Sequence, residues 1–193
     1  RRGLKRDTLA KFRLGYGPGS RSALKDHLAR AGFTVPEMIT SGMLIGGDDI
    51  PQPYDRFRNG QPNALTPAQQ RGLAGFQSQG ARCSACHSLA SDLFTDDSFR
   101  NIGLRPISED SGRQAITGNP ADAGRFKVPG LRNAGLKRSY MHNGQFATLT
   151  DVLRFYARAP GAPQQFPQNQ DPIIPQINLP PQAAADIQDF IQN

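Results

Sequence analysis

Two thiols and an imidazole lie close together in the stretch RCSACHSL, residues 82–89. Cys83 and Cys86 are the two cysteines of the chain, and His87 directly follows the second. This C-x-x-C-H spacing fits the attachment signature of a c-type haem. Thiols so spaced on a helical turn can form thioether bonds to both vinyl groups of one porphyrin, and the next residue can offer its imidazole to the iron. The spacing therefore predicts one covalent haem c, held by Cys83, Cys86 and His87.

Three other roles of a close cysteine pair agree less well with the sequence. A structural zinc site takes four ligands, usually from two pairs, but the chain has no second cysteine pair, and His27 and His142 are far apart. A thioredoxin-like redox pair is expected within a βαβ pattern, which is absent from the sequence. A disulfide that closes such a short loop constrains the unfolded chain very little.

The residues around this motif predict short helices joined by long loops. Thr66, Pro67 and Gln69 form a capping box with proline at the first helical position, so a helix is expected through LTPAQQRGLAGFQSQ. A second helix is expected over FATLTDVLRFYARA, capped by Thr148 or Thr150. Helices are also predicted from Ser20 to Arg30, from about residue 34, and over PQAAADIQDFIQN; residues 88–125 and the Pro/Gln-rich stretch before the last helix are predicted loops.

The charge of the chain is concentrated at its beginning. The net charge is +7, and residues 1–60 hold 11 Lys and Arg against 6 Asp and Glu. Such a basic excess is typical of a nucleic-acid or acidic-protein partner, and equally of a solvated helix face. No run of about 18 apolar residues is present, so no membrane span is predicted. The first residues, RRGLKRDTLAKF, are basic without an apolar segment after them, so no signal peptide is predicted in this chain.

Further stretches accompany the cysteine motif in a fixed order. They are LTPAQQRGLAGF, FTDDSFRNIGL, GRFKVPGLRNAGLKRSYMHNGQFATL and DVLRFYAR. Together with CSACH they make residues 62–193 resemble the C-terminal haem domain of bacterial di-haem cytochrome c peroxidases and their MauG-like members. The resemblance implies a mainly α, cytochrome c-like haem domain with long loops, preceded here by a small helical segment. It also implies a periplasmic location, redox work linked to peroxide, and a redox partner protein or a first haem domain.

The resemblance also implies residues on the second side of the iron. In the family the distal ligand lies fourteen residues after the histidine that matches His142, which is Tyr156 in this chain. Peroxidases carry methionine there and MauG-like proteins carry tyrosine, so Tyr156 is the favoured distal ligand. Met141 is the alternative, because an ordinary His/Met cytochrome domain would have to use it. His142 is expected near the haem in a supporting role.

The same resemblance suggests which charged residues surround the cofactor, and where the chain departs from the family. Arg125, Lys127 and Arg132 are candidates to pair with the haem propionates. The turn Lys137-Arg138-Ser139 matches a calcium-binding turn, and its positive charges make calcium doubtful. The chain contains one CxxCH and no tryptophan, the residue that relays electrons between the haems in the family. We therefore expect an electron-transfer or peroxide-linked half-domain, and the sequence leaves open whether it is an enzyme by itself.

The front of the chain carries a different set of stretches. RDTLAKFRLGYGPGSRSALKDHLARAGF and the later YDRFRN resemble bacterial replicative DNA primase at the start of its RNA-polymerase core. The resemblance implies possible weak nucleic-acid binding by residues 1–60, although the acidic metal-binding cluster and the zinc domain of primase have no counterpart here. We therefore predict a chimera with two domains, 1–60 and 61–193. The alternative function is a nucleic-acid-binding primase fragment without catalytic residues.

Overall fold

The chain divides into two compact units, Arg1–Pro51 and Gln52–Asn193. The computed structural model describes residues 23–34, 52–91 and 93–192. In the first unit the described helix is α1, Ala23–Arg30, which ends at the predicted residue. Gly32 follows at φ +91°, the left-handed conformation that commonly closes a helix. The predicted start at Ser20 and most of the helix predicted from residue 34 lie outside the described residues.

The second unit is mostly helical, with one small sheet among its described residues. The two-stranded sheet pairs β1 (Phe99–Arg100) with β2 (Phe126–Lys127) in antiparallel register. Short 3-10 turns connect the longer elements. The α-helices are α2 (Pro53–Arg58), α3 (Pro67–Gln77), α4 (Gln114–Thr117), α5 (Leu149–Tyr156) and α6 (Pro181–Ile191), and the 3-10 turns are Pro62–Ala64, Cys83–Ala85, Pro120–Asp122, Ala134–Leu136 and Ile174–Gln176.

The helices α3 and α5 both begin at a capping box. The Thr66 hydroxyl accepts from the Gln69 backbone N–H at 3.3 Å, and the Gln69 side chain accepts from the Thr66 N–H at 2.9 Å. Thr148 and Asp151 make the same reciprocal pair at the start of α5. The predicted start of α3 is confirmed, and Thr148 rather than Thr150 caps α5. These contacts satisfy backbone donors that a helix start otherwise leaves open.

The main core forms where α3 crosses α6. Phe76 from α3 and Ile187 and Phe190 from α6 are buried, and the Phe76 and Phe190 rings meet edge to face with centroids 5.7 Å apart. The helices approach closely at Gly72: a Cβ built there would lie 2.0 Å from the Asp186 carbonyl oxygen. The absence of a side chain at this position therefore sets the distance between the two helices.

Helix α2 contributes to this same core. The Tyr54 ring is buried and packs edge to face on Phe94 and Phe190, with centroids 5.0 and 5.7 Å away. Asp55 forms a two-bond ion pair with Arg132 at 2.5 and 2.9 Å. The second unit therefore starts at Gln52, before the boundary at residue 60 that the sequence predicted. The YDRFRN stretch, which resembles primase, packs as part of the other unit.

The Pro/Gln-rich segment after α5 is irregular, as predicted, but it is fastened to the rest of the unit. The Asn101 side chain is buried and donates to the Gln168 carbonyl at 3.0 Å. The backbone N–H of Asp171 donates to the Asn101 carbonyl, and that of Phe166 donates to the Gly103 carbonyl, both at 2.8 Å. These bonds hold the segment against one side of the region that contains the cysteine motif.

Candidate haem site

The cysteine motif forms a tight turn that places its three functional side chains together. Residues Cys83–Ala85 are a 3-10 helix, and the His87 backbone N–H donates to the Cys83 carbonyl at 2.9 Å. Cys83 and Cys86 are both free thiols. Both thiols and the His87 ring line one cavity.

This cavity has a volume of about 330 Å³ and brings together the six residues predicted to attach the haem, bind its iron or support it. Its size and mainly apolar walls are typical of a cofactor site. The elements that build it are the turn of the cysteine motif, β2, the 134–142 loop, α5 and the 173–179 segment. Its lining includes Cys83, Cys86, His87, Met141, His142 and Tyr156, together with the apolar side chains of Phe76, Val128, Leu131, Leu149, Val152, Leu153, Ile174, Ile177 and Leu179.

His87 is oriented by a backbone hydrogen bond. Its Nδ1 lies 3.1 Å from the Phe94 carbonyl oxygen, which can only accept, so Nδ1 carries the proton. Burial lowers the pKa of His87, and the carbonyls of Phe94 and Pro129 oppose this only in part. The imidazole is therefore neutral near pH 7 and keeps the Nε2 lone pair available. A backbone carbonyl that fixes the tautomer in this way is typical of metal-ligating histidines.

The two thiols are held in their protonated forms. Burial raises the pKa of Cys83 to about 12. Burial also raises the pKa of Cys86, although the positive charge of Arg100 opposes it. Because the thiolate is the nucleophilic form, this burial lowers the reactivity of both sulfurs at neutral pH.

Arg100 links the cysteine motif to two other segments, and the sequence analysis missed it. Its guanidinium donates to Asp96 at 2.8 Å and to Asp171 at 2.9 Å. Asp96 in turn donates its backbone N–H to the Cys86 carbonyl at 3.0 Å. The i, i+4 spacing of Asp96 and Arg100 was the available signal. The partner Asp171 lies too far along the chain to be inferred from spacing.

The charge on Asp96 is stabilised by this network. Burial raises the pKa of Asp96, but hydrogen bonds from Arg100 and Ser98 outweigh it and bring the pKa to about 2. The Asp96–Arg100 pair therefore remains ionised throughout the neutral range, and it holds the segment that follows the cysteine motif.

Two tyrosines line the cavity in different states. The Tyr140 hydroxyl donates to the Ala134 carbonyl at 2.9 Å. The Tyr156 hydroxyl makes no hydrogen bond with any of the described residues, and burial, together with the two nearby thiols, raises its pKa. The Tyr156 hydroxyl is therefore not held by a protein acceptor among the described residues. Met141 packs beside it in the cluster around Phe155, at a left-handed φ of +68°.

His142 lines the cavity and makes two contacts that fix its ring. Its ring stacks on Phe126, with centroids 3.6 Å apart and planes 9° from parallel. Its Nε2 lies 2.8 Å from the Asp110 carboxylate. These contacts fix the ring as part of the cavity wall, and its supporting role toward a haem stays a prediction.

The three cations predicted to pair with the propionates are either paired with a protein carboxylate or lie outside the cavity lining. Arg132 is paired with Asp55 and stacks its guanidinium 4.5 Å from the Phe94 ring centroid, outside the cavity lining. Lys127 lines the cavity, but its ammonium pairs with Asp97 at 2.5 Å. Arg125 is also absent from the lining. The expectation for Arg132 is wrong, because its ion pair fastens α2 to the core.

Neither a metal cluster nor a membrane span occurs in the part of the chain that the structure describes. Among those residues no group of three or more His, Cys, Asp or Glu side chains is placed to hold a metal ion. None of the described helices is long and apolar enough to cross a membrane.

The donor set of the cavity fits a covalent haem. Two thiols and a neutral imidazole with an available nitrogen line an apolar space, and a tyrosine with an unpaired hydroxyl lines it too. A porphyrin needs apolar walls, thiols for its vinyl groups and one or two axial donors for its iron. Fold and site together therefore fit the class of helical c-type haem domains.

Known proteins of this class are similar to the chain. Cytochrome-c peroxidase IdrP1 of Pseudomonas sp. (strain SCT) is 37% identical over 138 residues, which cover 57% of this chain and 36% of that protein. The methylamine utilization protein MauG of Methylorubrum extorquens is 34% identical over 148 residues, covering 75% of this chain and 40% of that protein. Over the matched residues the chain is therefore a homologue of the di-haem cytochrome c peroxidases and MauG proteins. It spans less than half the length of these curated relatives.

Solved structures show the same relationship. The diheme peroxidase BthA from Burkholderia thailandensis matches with a TM-score of 0.53 at 25% identity, covering 72% of this chain and 45% of that one. A MauG-like protein associated with microbial copper homeostasis matches with a TM-score of 0.64 at 24% identity, covering 90% of this chain and 62% of that one. The second match is evidence for the fold alone.

The front of the chain also matches a family. Residues 1–60 match the family model of the DNA primase catalytic core, N-terminal domain. The primase resemblance is therefore confirmed for these residues. Nucleic-acid binding by this segment is not supported, and most of its residues lie outside the described part of the chain.

Proposed function

We propose that this chain carries one covalent haem c in the cavity and serves as the electron-transfer half of a peroxide-linked oxidoreductase. The observation that carries the proposal is the convergence of Cys83, Cys86, His87 and Tyr156 on a single apolar cavity. The relatives support it, because those named here are cytochrome c peroxidases and MauG proteins. The match of the chain to the C-terminal haem domain, and its cytochrome c-like fold, are part of the same proposal.

Attachment of the cofactor uses the two thiols without any change of oxidation state. In each addition the thiol S–H adds across a vinyl double bond, so that a carbon–sulfur bond forms and the proton passes to the other vinyl carbon. The turn at Cys83–Ala85 places both thiols in the lining of one cavity, and burial raises their pKa values. Cys83 and Cys86 would thus hold the porphyrin in the cavity that His87 also lines.

His87 and Tyr156 are the residues that would hold the iron. His87 would bind the iron through Nε2, since its Nδ1 proton is donated to the Phe94 carbonyl. Tyr156 would be the second ligand, because its hydroxyl lines the same cavity and has no protein partner among the described residues. Binding requires loss of the phenol proton, and the positive iron would offset the effect of burial on the pKa. Met141 remains the alternative ligand.

The bound haem would supply one-electron exchange between ferric and ferrous iron. An anionic oxygen donor favours the ferric state and so lowers the reduction potential, whereas a thioether raises it. The walls of the cavity are mainly apolar, and the stacked rings of His142 and Phe126 form part of them. Because the chain has one CxxCH, the electron partner is proposed to be a redox protein or a first haem domain. The proposed location is the periplasm.

The proposal is tested by maturing the chain in a host that attaches haem and measuring its pyridine haemochrome spectrum. We expect a c-type haemochrome with one haem per chain, and a mass increase of one haem that survives denaturation. A colourless protein with two titratable thiols would contradict the proposal. Haem that is lost on denaturation would contradict the covalent attachment alone.

Three conservative variants of the matured protein test the distal ligand. We expect Tyr156→Phe to change the ferric absorption and electron paramagnetic resonance spectra and to raise the midpoint potential. Tyr140→Phe is the matched control, since Tyr140 lines the same cavity but already donates its hydroxyl hydrogen to Ala134. It should leave the ferric spectra unchanged, as should Met141→Leu. If Met141→Leu alone alters the low-spin ferric signal, methionine is the ligand and the Tyr156 assignment is wrong.

A further inference from the structure

Arg82 has a buried guanidinium nitrogen without a protein partner. It directly precedes Cys83, and its side chain lines the haem cavity. Among the described residues Arg82 Nε is the one buried side-chain nitrogen or oxygen that lacks a hydrogen bond. A buried donor without a partner costs about 1–3 kcal/mol, and more when it belongs to a charged group. Such an atom in a cavity wall indicates an acceptor that binds there.

The backbone of Arg82 is fixed in a way that directs this side chain. Its φ is +54°, in the left-handed region that residues with a Cβ rarely adopt. Its N–H donates to the Ser78 carbonyl at 2.9 Å, and its carbonyl accepts from the Ala85 N–H at 3.2 Å. The strained conformation is therefore held by hydrogen bonds on both sides. Strain of this kind is found where the position of a side chain matters for function.

The other cationic or imidazole side chains of the cavity differ from Arg82 in their partners. Arg100 is paired with two carboxylates, Lys127 with Asp97, and His142 with Asp110. Lys137 lines the cavity but is exposed, so water satisfies its ammonium. Arg82 alone among them combines burial of a donor atom with the lack of any carboxylate partner in the described residues.

We propose that Arg82 binds a propionate carboxylate of the haem and positions the cofactor beside the first thioether bond. This inference rests on the proposed function and goes beyond it, since it assigns a positioning residue that was not among the predicted propionate partners. A guanidinium offers a fixed pair of N–H donors that matches the two oxygens of a carboxylate. Because Arg82 is adjacent to Cys83, the same short segment would bind the haem twice, through the Cys83 thioether bond and through the ion pair of Arg82 with a propionate.

The test uses the matured holoprotein and the variants Arg82→Gln and Arg82→Lys. Resonance Raman spectra report the propionate bending mode, and redox titration gives the midpoint potential. We expect Arg82→Gln to shift the propionate band and lower the midpoint potential, because an uncompensated carboxylate favours ferric iron. Arg82→Lys should restore most of the potential but not the band, since lysine keeps the charge and lacks the planar fork. Arg138→Gln, an exposed residue outside the cavity lining, is the control and should leave the band unchanged.

Three outcomes would contradict the proposed contact of Arg82 or the proposed function. A propionate band that is identical in the parent and in Arg82→Gln overturns the proposal, even if the variant is less stable. A shift of the band in Lys137→Gln, with none in Arg82→Gln, also overturns it and assigns the contact to Lys137. Absence of covalent haem from the parent protein contradicts the proposed function itself, and it is detected by the haemochrome measurement before any variant is compared.

Discussion

A chain with serine at both Cys83 and Cys86 is expected to leave a haem-attaching host with no covalent haem. The expected loss is complete, because each thioether bond needs a sulfur and these are the two cysteines of the chain. Each single variant should retain haem through the remaining thioether, with the changed haemochrome spectrum of a porphyrin that keeps one vinyl group. The measurement is haem staining and mass spectrometry after denaturation, followed by the haemochrome spectrum.

The matched control for this pair is Ser84→Ala, which changes the same turn and leaves both sulfurs in place. It should carry the parental amount of haem. The double-serine variant should also unfold at lower denaturant, since a ligand that binds only the folded state adds its binding free energy to stability. Covalent haem in the double-serine variant would rule out attachment through Cys83 and Cys86.

Gly72→Ala is expected to cost about 3 kcal/mol or more in the free energy of unfolding. A Cβ at this position would lie 2.0 Å from the Asp186 carbonyl oxygen and 2.9 Å from the Phe190 Cβ. Neither atom belongs to a flexible side chain, so α3 and α6 must separate. Overpacking of a tight core typically costs about 1–3 kcal/mol, and a backbone contact belongs at the upper end. The helices share the buried Phe76, Ile187 and Phe190, so separation also weakens the core.

The control is Gly75→Ala, the same substitution three residues later in the same helix. There the new Cβ would meet the Ile187 side chain at 3.3 Å, and small shifts of that side chain can accommodate it. Alanine is favoured over glycine within a helix by about 1 kcal/mol, so Gly75→Ala should be neutral within about 1 kcal/mol. The values are read from urea unfolding of the matured holoproteins at equal haem content. Equal midpoints for the two variants would show that the contact at Gly72 does not limit the packing of α3 on α6.

Some features of this fold could be read from short stretches of sequence. The capping boxes at Thr66 and Thr148 were predictable, because their hydrogen bonds join residues only three positions apart. The last helix and its inward residues Ile187 and Phe190 followed from helical periodicity. The cysteine motif was predictable for the same reason, since the two thiols and the imidazole lie within one turn.

Other features depended on partners far along the chain. The pairing of β1 with β2 joins residues about thirty positions apart, and neither two-residue strand has a recognisable pattern. The sequence predicted that Arg132 pairs with a haem propionate, but the structure pairs it with Asp55, seventy-seven positions away. Resemblance to primase extended through YDRFRN, yet Tyr54 packs against Phe94 and Phe190 in the core of the second unit. Sequence similarity cannot by itself assign a stretch to the unit in which it packs.

The sequence by itself determined the local motif of the site, two thiols and an imidazole at the spacing of haem attachment, and the family resemblance added Tyr156 as the favoured second ligand. Tertiary structure decided which groups surround them. It paired Arg100, Lys127 and Arg132 with carboxylates, left the Arg82 nitrogen and the Tyr156 hydroxyl without protein partners among the described residues, and made Gly72 the contact point of two helices. The physical reason is distance along the chain. A local motif encodes its own geometry, whereas burial and ion pairing depend on which remote segments pack against it.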